Sequence, residues 1–431
     1  GEHRLAVSVY ADPGKICTVF IDSKTIVTDS TWECSLMDGI LRPVDCCGFF
    51  RAENSPNAYK LSLIRQDYVK KTQEKEFILY DFGKETFGYL CFENPNGKGK
   101  LKIYYGESED EARDFDYCEL LDELSLENGN DRTQLTKAFR YVAVQKTDGA
   151  DYDDIHMLYE YRPFEKCAYL KTQDELLQKI WDTSIYTLDL NRREFFLDGI
   201  KRDRWVWSGD ATQAYLMNWY SFFDEDVARK TQVALAGKEE ITQHLNTIVD
   251  YTLYWLISFR DHYRYTGDKR FITMWYDRFC QLADYVLSCA DEKYRIQKRK
   301  KDWVFIDWGK GLTKDSDSYS FLQILLCHAM RGASEVAQIV GDAQNQARFA
   351  GIAQSVYQDL QENYYDNEHG AFIYSIKGGK PDGVVLRQPN IMAIFYGVAT
   401  KQQGSAICEN VLLNESIPAL ETPYMRFYEL S

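Results

Sequence analysis

The sequence predicts a β-sandwich followed by a ring of paired helices, an α/α toroid. Two observations carry this. Up to about residue 165, short runs of β-branched and aromatic residues alternate with turn signals. Beyond it, apolar residues recur at helical spacing in around ten segments with little strand between them. A chain of 431 residues also exceeds one ordinary domain and suits two or three.

In the first part, residues 77–80 (Phe-Ile-Leu-Tyr), 89–92 (Tyr-Leu-Cys-Phe), 101–105 and 141–144 read as strands. Residues 94–97 (Asn-Pro-Asn-Gly), between the second and third, read as a hairpin-type break. Short strands at this spacing indicate a sandwich. In the second part, residues 172–175 (Thr-Gln-Asp-Glu) read as a capping box. An apolar stripe of Leu177, Trp181, Ile185 and Leu188 follows. Asp210, in an Asp-Ala-Thr-Gln run, is a candidate N-cap. Further helical patterns cover roughly 224–236, 248–265, 269–289, 317–339, 342–361, 390–400 and 401–413, and a last one starts near Thr422 with Pro423 suited to a helix start.

Composition narrows the function classes. With 27% charged and 45% hydrophobic residues the chain is globular. A net charge of −15, which no Lys/Arg-rich run offsets, argues against nucleic acid and anionic membrane as partners. Aromatic residues reach 15%, with 31 tyrosines, which suits both a dense core and sugar-stacking surfaces. The 11 cysteines are scattered, with Cys46 and Cys47 adjacent and no Cys-x-x-Cys or Cys/His ligand spacing. Buried free thiols are expected rather than a disulfide framework or a zinc site, and no metal or cofactor is assigned. Unpaired cysteines lean toward a reducing compartment, but the compartment stays open. No uncharged apolar stretch is long enough to span a bilayer.

The densest chemistry lies at 198–210, Asp-Gly-Ile-Lys-Arg-Asp-Arg-Trp-Val-Trp-Ser-Gly-Asp. Three carboxylates (Asp198, Asp203, Asp210) and three cations (Lys201, Arg202, Arg204) are threaded through Trp205 and Trp207. Carboxylates beside aromatic rings can hold a sugar and protonate a glycosidic oxygen. A salt-bridged turn between two helices is the rival reading. The stretch resembles the Asp-Cys-Pro-Gln-Arg-Glu-Arg-Leu-Gly-Trp-Thr-Gly-Asp signature of the glycoside hydrolase family 78 α-L-rhamnosidases. Asp198, Arg202, Arg204, Trp207, Gly209 and Asp210 match at identical spacing, Ser208 replaces a threonine, and Asp203 stands where the family has its glutamate general acid.

The resemblance implies a sandwich at 36–165, preceded over 1–35 (with a strand-like 18–21) by the tail of another β-domain. It implies an (α/α)6 barrel from 166 that reaches Ser431 before its last helices are complete. Phe-Ile-Asp-Trp-Gly at 305–309 resembles the family's Asp-Trp segment, which makes Asp307 and Trp308 sugar-binding candidates. Residues 387–397 and 421–430 resemble helices late in the barrel. The activity implied is removal of terminal α-L-rhamnose with inversion.

Residue roles follow from that reading. Asp203 is the candidate general acid. Arg202 and Arg204 would lower its pKa if they paired with it, so they must point away while Trp205 or Trp207 supplies apolar contact. Aspartate is one methylene shorter than glutamate, and misplacement by ~1 Å can cost on the order of 100-fold in rate. Asp198 and Asp210 are candidates to bind sugar hydroxyls or position water, Arg202 to bind a hydroxyl or orient Asp198, and Trp207 and Trp308 to pack on the apolar face of a deoxysugar. Trp255, within the 248–265 pattern, reads as core. The family's base is a glutamate after a Thr-Thr-hydrophobic-Trp-Glu segment, and Glu415, Glu421 and Glu429 do not match it. The rivals are a barrel enzyme for another sugar and a non-catalytic carbohydrate-binding protein.

Overall fold

The computed structural model describes residues 61–431 except 165, 298, 310, 313 and 314, together with 5–9, 19, 21, 23–29, 31–35 and 40–44. The chain packs as two compact units. One is Gly1–Val206 with Tyr220–Val227, the other Trp207–Trp219 with Ala228–Ser431. Of the strand-like 18–21, Thr18 and Phe20 lie outside the described residues.

In the first unit, β1 (Glu33–Cys34) and β2 (Arg42–Pro43) form an antiparallel pair. Seven further strands share one antiparallel hydrogen-bonded network: β3 (Ser62–Gln66), β4 (Lys70–Gln73), β5 (Ile78–Glu93), β6 (Lys100–Gly106), β7 (Leu120–Ser125), β8 (Lys137–Thr147) and β9 (Asp154–Tyr161). Their order is β3-β9-β5-β8-β6-β7, with β4 on β5. A short helix, α1 (Glu109–Arg113), follows β6. The core gathers Tyr80, Leu90, Leu101, Ile103, Tyr105, Phe139, Val142, Val144 and Met157.

Two sequence expectations need correction here. Residues 78–80 and 89–92 belong to one long strand rather than two. Gly83 takes a left-handed φ of 85°, and the pairing of β5 with β8 shifts register between Asp81 and Thr86. Asp81 Oδ1 accepts the Gly83 N–H at 2.7 Å and the Arg140 Nε–H at 2.9 Å, so the strand bulges here and continues. Residues 94–97 do not close a hairpin either, because β5 and β6 both pair with β8, which lies between them.

Helix α2 (Glu175–Asn191) ends the sheet region. Its N-cap is Asp174, whose carboxylate accepts the Leu177 N–H at 3.0 Å. The capping box expected at Thr172 does not form; Thr172 Oγ1 instead accepts the Asp174 N–H at 3.2 Å and orients the cap. Of the predicted stripe, Leu188 is buried, Trp181 and Ile185 are partly buried, and Leu177 is exposed.

The second unit is helical. It holds α3 (Ser208–Trp219), α5 (Val249–Thr266), α6 (Lys269–Ser288), α7 (Ser320–Val340), α8 (Ala343–Asp359), α9 (Arg387–Phe395), α10 (Lys401–Ile407) and α11 (Arg426–Leu430). Helix α4 (Glu225–Ala236) carries the chain into it. These match the helical patterns, and Pro423 opens a 3-10 turn as its position suggested. Two small sheets have no counterpart in the sequence reading. One joins β10 (Ser318–Tyr319), β13 (Ser375–Lys377) and β14 (Lys380–Pro381), the other β11 (Tyr365–Asp366) and β12 (Ala371–Phe372). Two or three residues are too few for an alternation to register. Trp255 is core, 1% exposed and stacked on Phe259 at 5.1 Å.

The described cysteines are free, and Cys91, Cys118, Cys289 and Cys327 are buried. Cys46 and Cys47 lie outside the described residues. Among the described residues, no helix is long and apolar enough to cross a membrane.

Candidate active site

The first unit presents Asp198, Arg202 and Asp203 on one closed loop. The Asp198 N–H donates to the Trp205 carbonyl at 3.0 Å, and the Trp205 N–H returns to Asp198 Oδ1 at 2.9 Å. The aspartate side chain thus ties both ends of residues 198–205 together. Partial burial raises the Asp198 carboxyl above its usual range; the Trp205 N–H opposes this and the nearby charge of Asp203 adds to it.

The loop's cations are engaged away from Asp203. Lys201 Nζ pairs with Glu111 at 2.6 Å, with Glu107 and Glu119 each at 3.8 Å. Arg204, at a left-handed φ of 47°, donates from Nη1 to the Thr136 carbonyl at 2.9 Å. Arg202 is exposed, with Nε 3.7 Å from Glu119. Among the described residues neither arginine pairs with Asp203, which is exposed. The apolar contact expected from Trp205 is not evident on this loop, since that ring is 58% exposed.

The second unit brings together Trp207, Asp210, Asp307 and Trp308 through a run of edge-to-face rings. Trp207 meets Tyr251 at 6.3 Å, Tyr251 meets Phe305 at 5.8 Å, and Phe305 meets Trp308 at 5.1 Å. Trp308 is the open end, 68% exposed. Asp210 is not the N-cap expected for it. Helix α3 already begins at Ser208, whose N–H is taken by Asn246 Oδ1 at 3.0 Å. Asp210 therefore falls in the first turn, where it accepts the Tyr251 hydroxyl at 3.1 Å.

Gly209 explains itself by space. A Cβ there would lie 2.4 Å from Tyr251 Cε1 and 2.6 Å from the Tyr424 hydroxyl. Asp307 is buried. Its Oδ1 accepts the Trp308 N–H at 2.8 Å and the Thr422 hydroxyl, and its Oδ2 accepts Gln388 Nε2 at 3.3 Å. Sequence reasoning missed Tyr251, Gln388, Thr422 and Tyr424, which sit in ordinary helical or loop contexts, and within the 305–309 motif it singled out Asp307 and Trp308 but not Phe305. Of the late glutamates, Glu429 is committed to Arg387, at 2.9 Å, and to Arg426.

Residues 165–414, more than half of the chain, match the profile of the bacterial α-L-rhamnosidase six-hairpin glycosidase domain. The chain belongs to that family. Residues 39–144 match the profile of the α-rhamnosidase-like N-terminal domain of bacteroidetes. The α-L-rhamnosidase fold is shared with solved structures. A rhamnosidase from Klebsiella oxytoca with rhamnose bound is 21% identical with a TM-score of 0.70, over 84% of this chain and 75% of that one. A family 78 rhamnosidase of Bacillus sp. GL1 is 17% identical with a TM-score of 0.70, over 84% and 40%. A Streptomyces avermitilis α-L-rhamnosidase complexed with L-rhamnose is 14% identical with a TM-score of 0.60, over 80% and 34%. The chain thus spans less than half the length of the last two. No curated protein matches it by sequence.

Proposed function

We propose that this family 78 glycoside hydrolase removes terminal α-L-rhamnose with inversion, Asp203 protonating the leaving oxygen. The observation that carries this is the signature loop itself. Lys201 and Arg204 fasten it to the β-region and leave the Asp203 carboxylate unpaired by either arginine, as a proton donor requires. Asp198, Arg202 and Asp210 bind hydroxyls. Trp207 and Trp308 pack on the apolar face and methyl group of the sugar, with Asp307 supporting Trp308 from beneath. Inversion needs a second carboxylate to activate water on the opposite face. We assign that role to no residue of 1–431.

We also read the seven-stranded region as a sandwich over 36–165, following a β-domain tail at 1–35, and the helices from 166 as part of an (α/α)6 toroid. Helices α7 and α8, joined through Gly341 and Asp342 alone, support a paired-helix ring.

The test is release of p-nitrophenol from its α-L-rhamnoside by the chain and by Asp203→Asn. Turnover that drops by about a thousandfold in the variant, with L-rhamnose still bound, supports the assignment. Unchanged turnover in Asp203→Asn would remove the aspartate from its role. Rhamnose binding without turnover in either form would withdraw hydrolysis from residues 1–431, the outcome expected both of a site without its second carboxylate and of a binding protein.

A further inference from the structure

We propose that Asp250 is a positioning residue for the sugar-facing rim. Its buried carboxylate holds residues 305–308 in a strained turn from which Trp308 is presented. This rests on the reading above that Trp308 packs on the sugar.

Asp250 lies in the first turn of α5 and is 0% exposed. Its Oδ1 accepts the Phe305 N–H at 3.2 Å and its Oδ2 the Ile306 N–H at 2.9 Å. Just upstream the two segments are already laced together. The Val249 N–H donates to the Trp303 carbonyl at 2.9 Å, and the Trp303 N–H to the Thr247 carbonyl at 3.1 Å. The chain then folds on itself, with the Asp307 N–H reaching the Phe305 carbonyl at 2.7 Å across Ile306, whose φ is 59°. A bond from one residue to the next but one, around a positive φ, is the rare and strained form of the γ-turn. A β-branched residue there is an outlier that surrounding structure must enforce.

What enforces it is visible. Consecutive N–H groups at the entry to the turn are both captured by one carboxylate, through charge-assisted bonds stronger than neutral ones. The turn buries Ile306 fully, directs Asp307 toward Thr422 and Gln388, and leaves Trp308 outside against Phe305 and Trp303. If the carboxylate is neutralised, Ile306 relaxes to negative φ and every residue after it changes direction. Glycine at 306 would adopt the turn without enforcement. The dependence on Asp250 and the identity of residue 306 are therefore coupled, which a purely structural buried aspartate would not show.

The experiment follows the 19F resonance of Trp308 in the full chain labelled with 5-fluorotryptophan, assigned by its loss in Trp308→Phe. L-rhamnose is titrated in parallel. Asp250→Asn is expected to move the Trp308 resonance and to weaken rhamnose binding by about tenfold. Adding Ile306→Gly to Asp250→Asn is expected to return both toward the wild-type values. A Trp308 resonance that does not move in Asp250→Asn, or that moves and is not restored by Ile306→Gly, overturns the proposal. If Asp250→Asn does not fold, the comparison is Ile306→Gly with and without Asp250→Asn. A folded double variant with the Trp308 resonance in place supports positioning, and an unfolded one refutes it. If the wild-type chain binds no rhamnose, the reading of the site falls, while the fluorine resonances still decide what Asp250 does.

Discussion

At Gly209 a single hydrogen atom decides whether three aromatic elements can meet. The Tyr251 ring and the Tyr424 hydroxyl both occupy the space of a Cβ, so Gly209→Ala must push α3 away from one of them. Overpacking of this kind costs about 1–3 kcal/mol. Because Tyr251 also holds Asp210 and packs on Trp207, the damage falls on the rim. Gly209→Ala is expected to weaken L-rhamnose binding, measured by titration, more than a core substitution of equal stability cost such as Val336→Ala. Equal losses of binding would show that the close approach serves only packing. The glycine, Trp207 and Asp210 were legible because they stand in one contiguous motif. Tyr251, Thr422 and Gln388 were not, because folding alone gathers them around Asp307 and the ring run.

Among elements, the clearest example is the return of residues 220–227 to the first unit. Asp224 is fully buried and accepts Arg192 Nη1 at 2.8 Å and Arg162 Nε at 2.7 Å, while its Oδ1 also accepts the Val227 N–H at 3.2 Å. Arg192 is itself 0% exposed and lies over the Phe222 ring at 4.1 Å. Removing one member of such a group leaves a buried charge uncompensated, at a cost of about 3–5 kcal/mol. Asp224→Ala should therefore lower the urea midpoint sharply, whereas Asp67→Ala, at the exposed pair with Arg65, should leave it nearly unchanged. Comparable shifts for the two would mean that the buried group is as weakly coupled as a surface pair. These partners lie 32 and 62 residues apart, a separation that leaves no local pattern. Local signals also misplaced element ends. Asp174 outcompeted Thr172 as a cap, and a bulge at Gly83 joined two expected strands into β5. Periods of 3.6 survive such events, so the helices were read more faithfully than the strands.

Over the whole molecule, the change of period near residue 165 made the passage from sheet to helices visible, but the charges each unit buries depend on tertiary packing. In the helical unit, burial lowers His244 and His262 to about 4. Burial, with the Arg260 charge adding to it, lowers His328 to about 3. In the sheet unit, burial raises Glu85 to about 8, with Glu107 adding and Lys201 opposing. The signs are opposite. A histidine depressed in the fold contributes its full stability above its unfolded pKa of about 6.5 and loses it as pH falls toward 4. A glutamate raised in the fold contributes fully below its unfolded pKa of about 4.3 and loses that contribution as pH rises toward 8. Three histidines outweigh one glutamate on the acid side, at on the order of 2–3 kcal/mol each, so resistance to urea should climb from pH 4 to about 6.5. Above that the histidines are silent in both states, and Glu85, raised to about 8, should make stability decline toward pH 8. Urea midpoints across this range, read with Glu85→Gln beside the wild type, check both halves. The variant should keep the acid limb and lose the alkaline decline. An alkaline decline that survives Glu85→Gln would place its origin in another group.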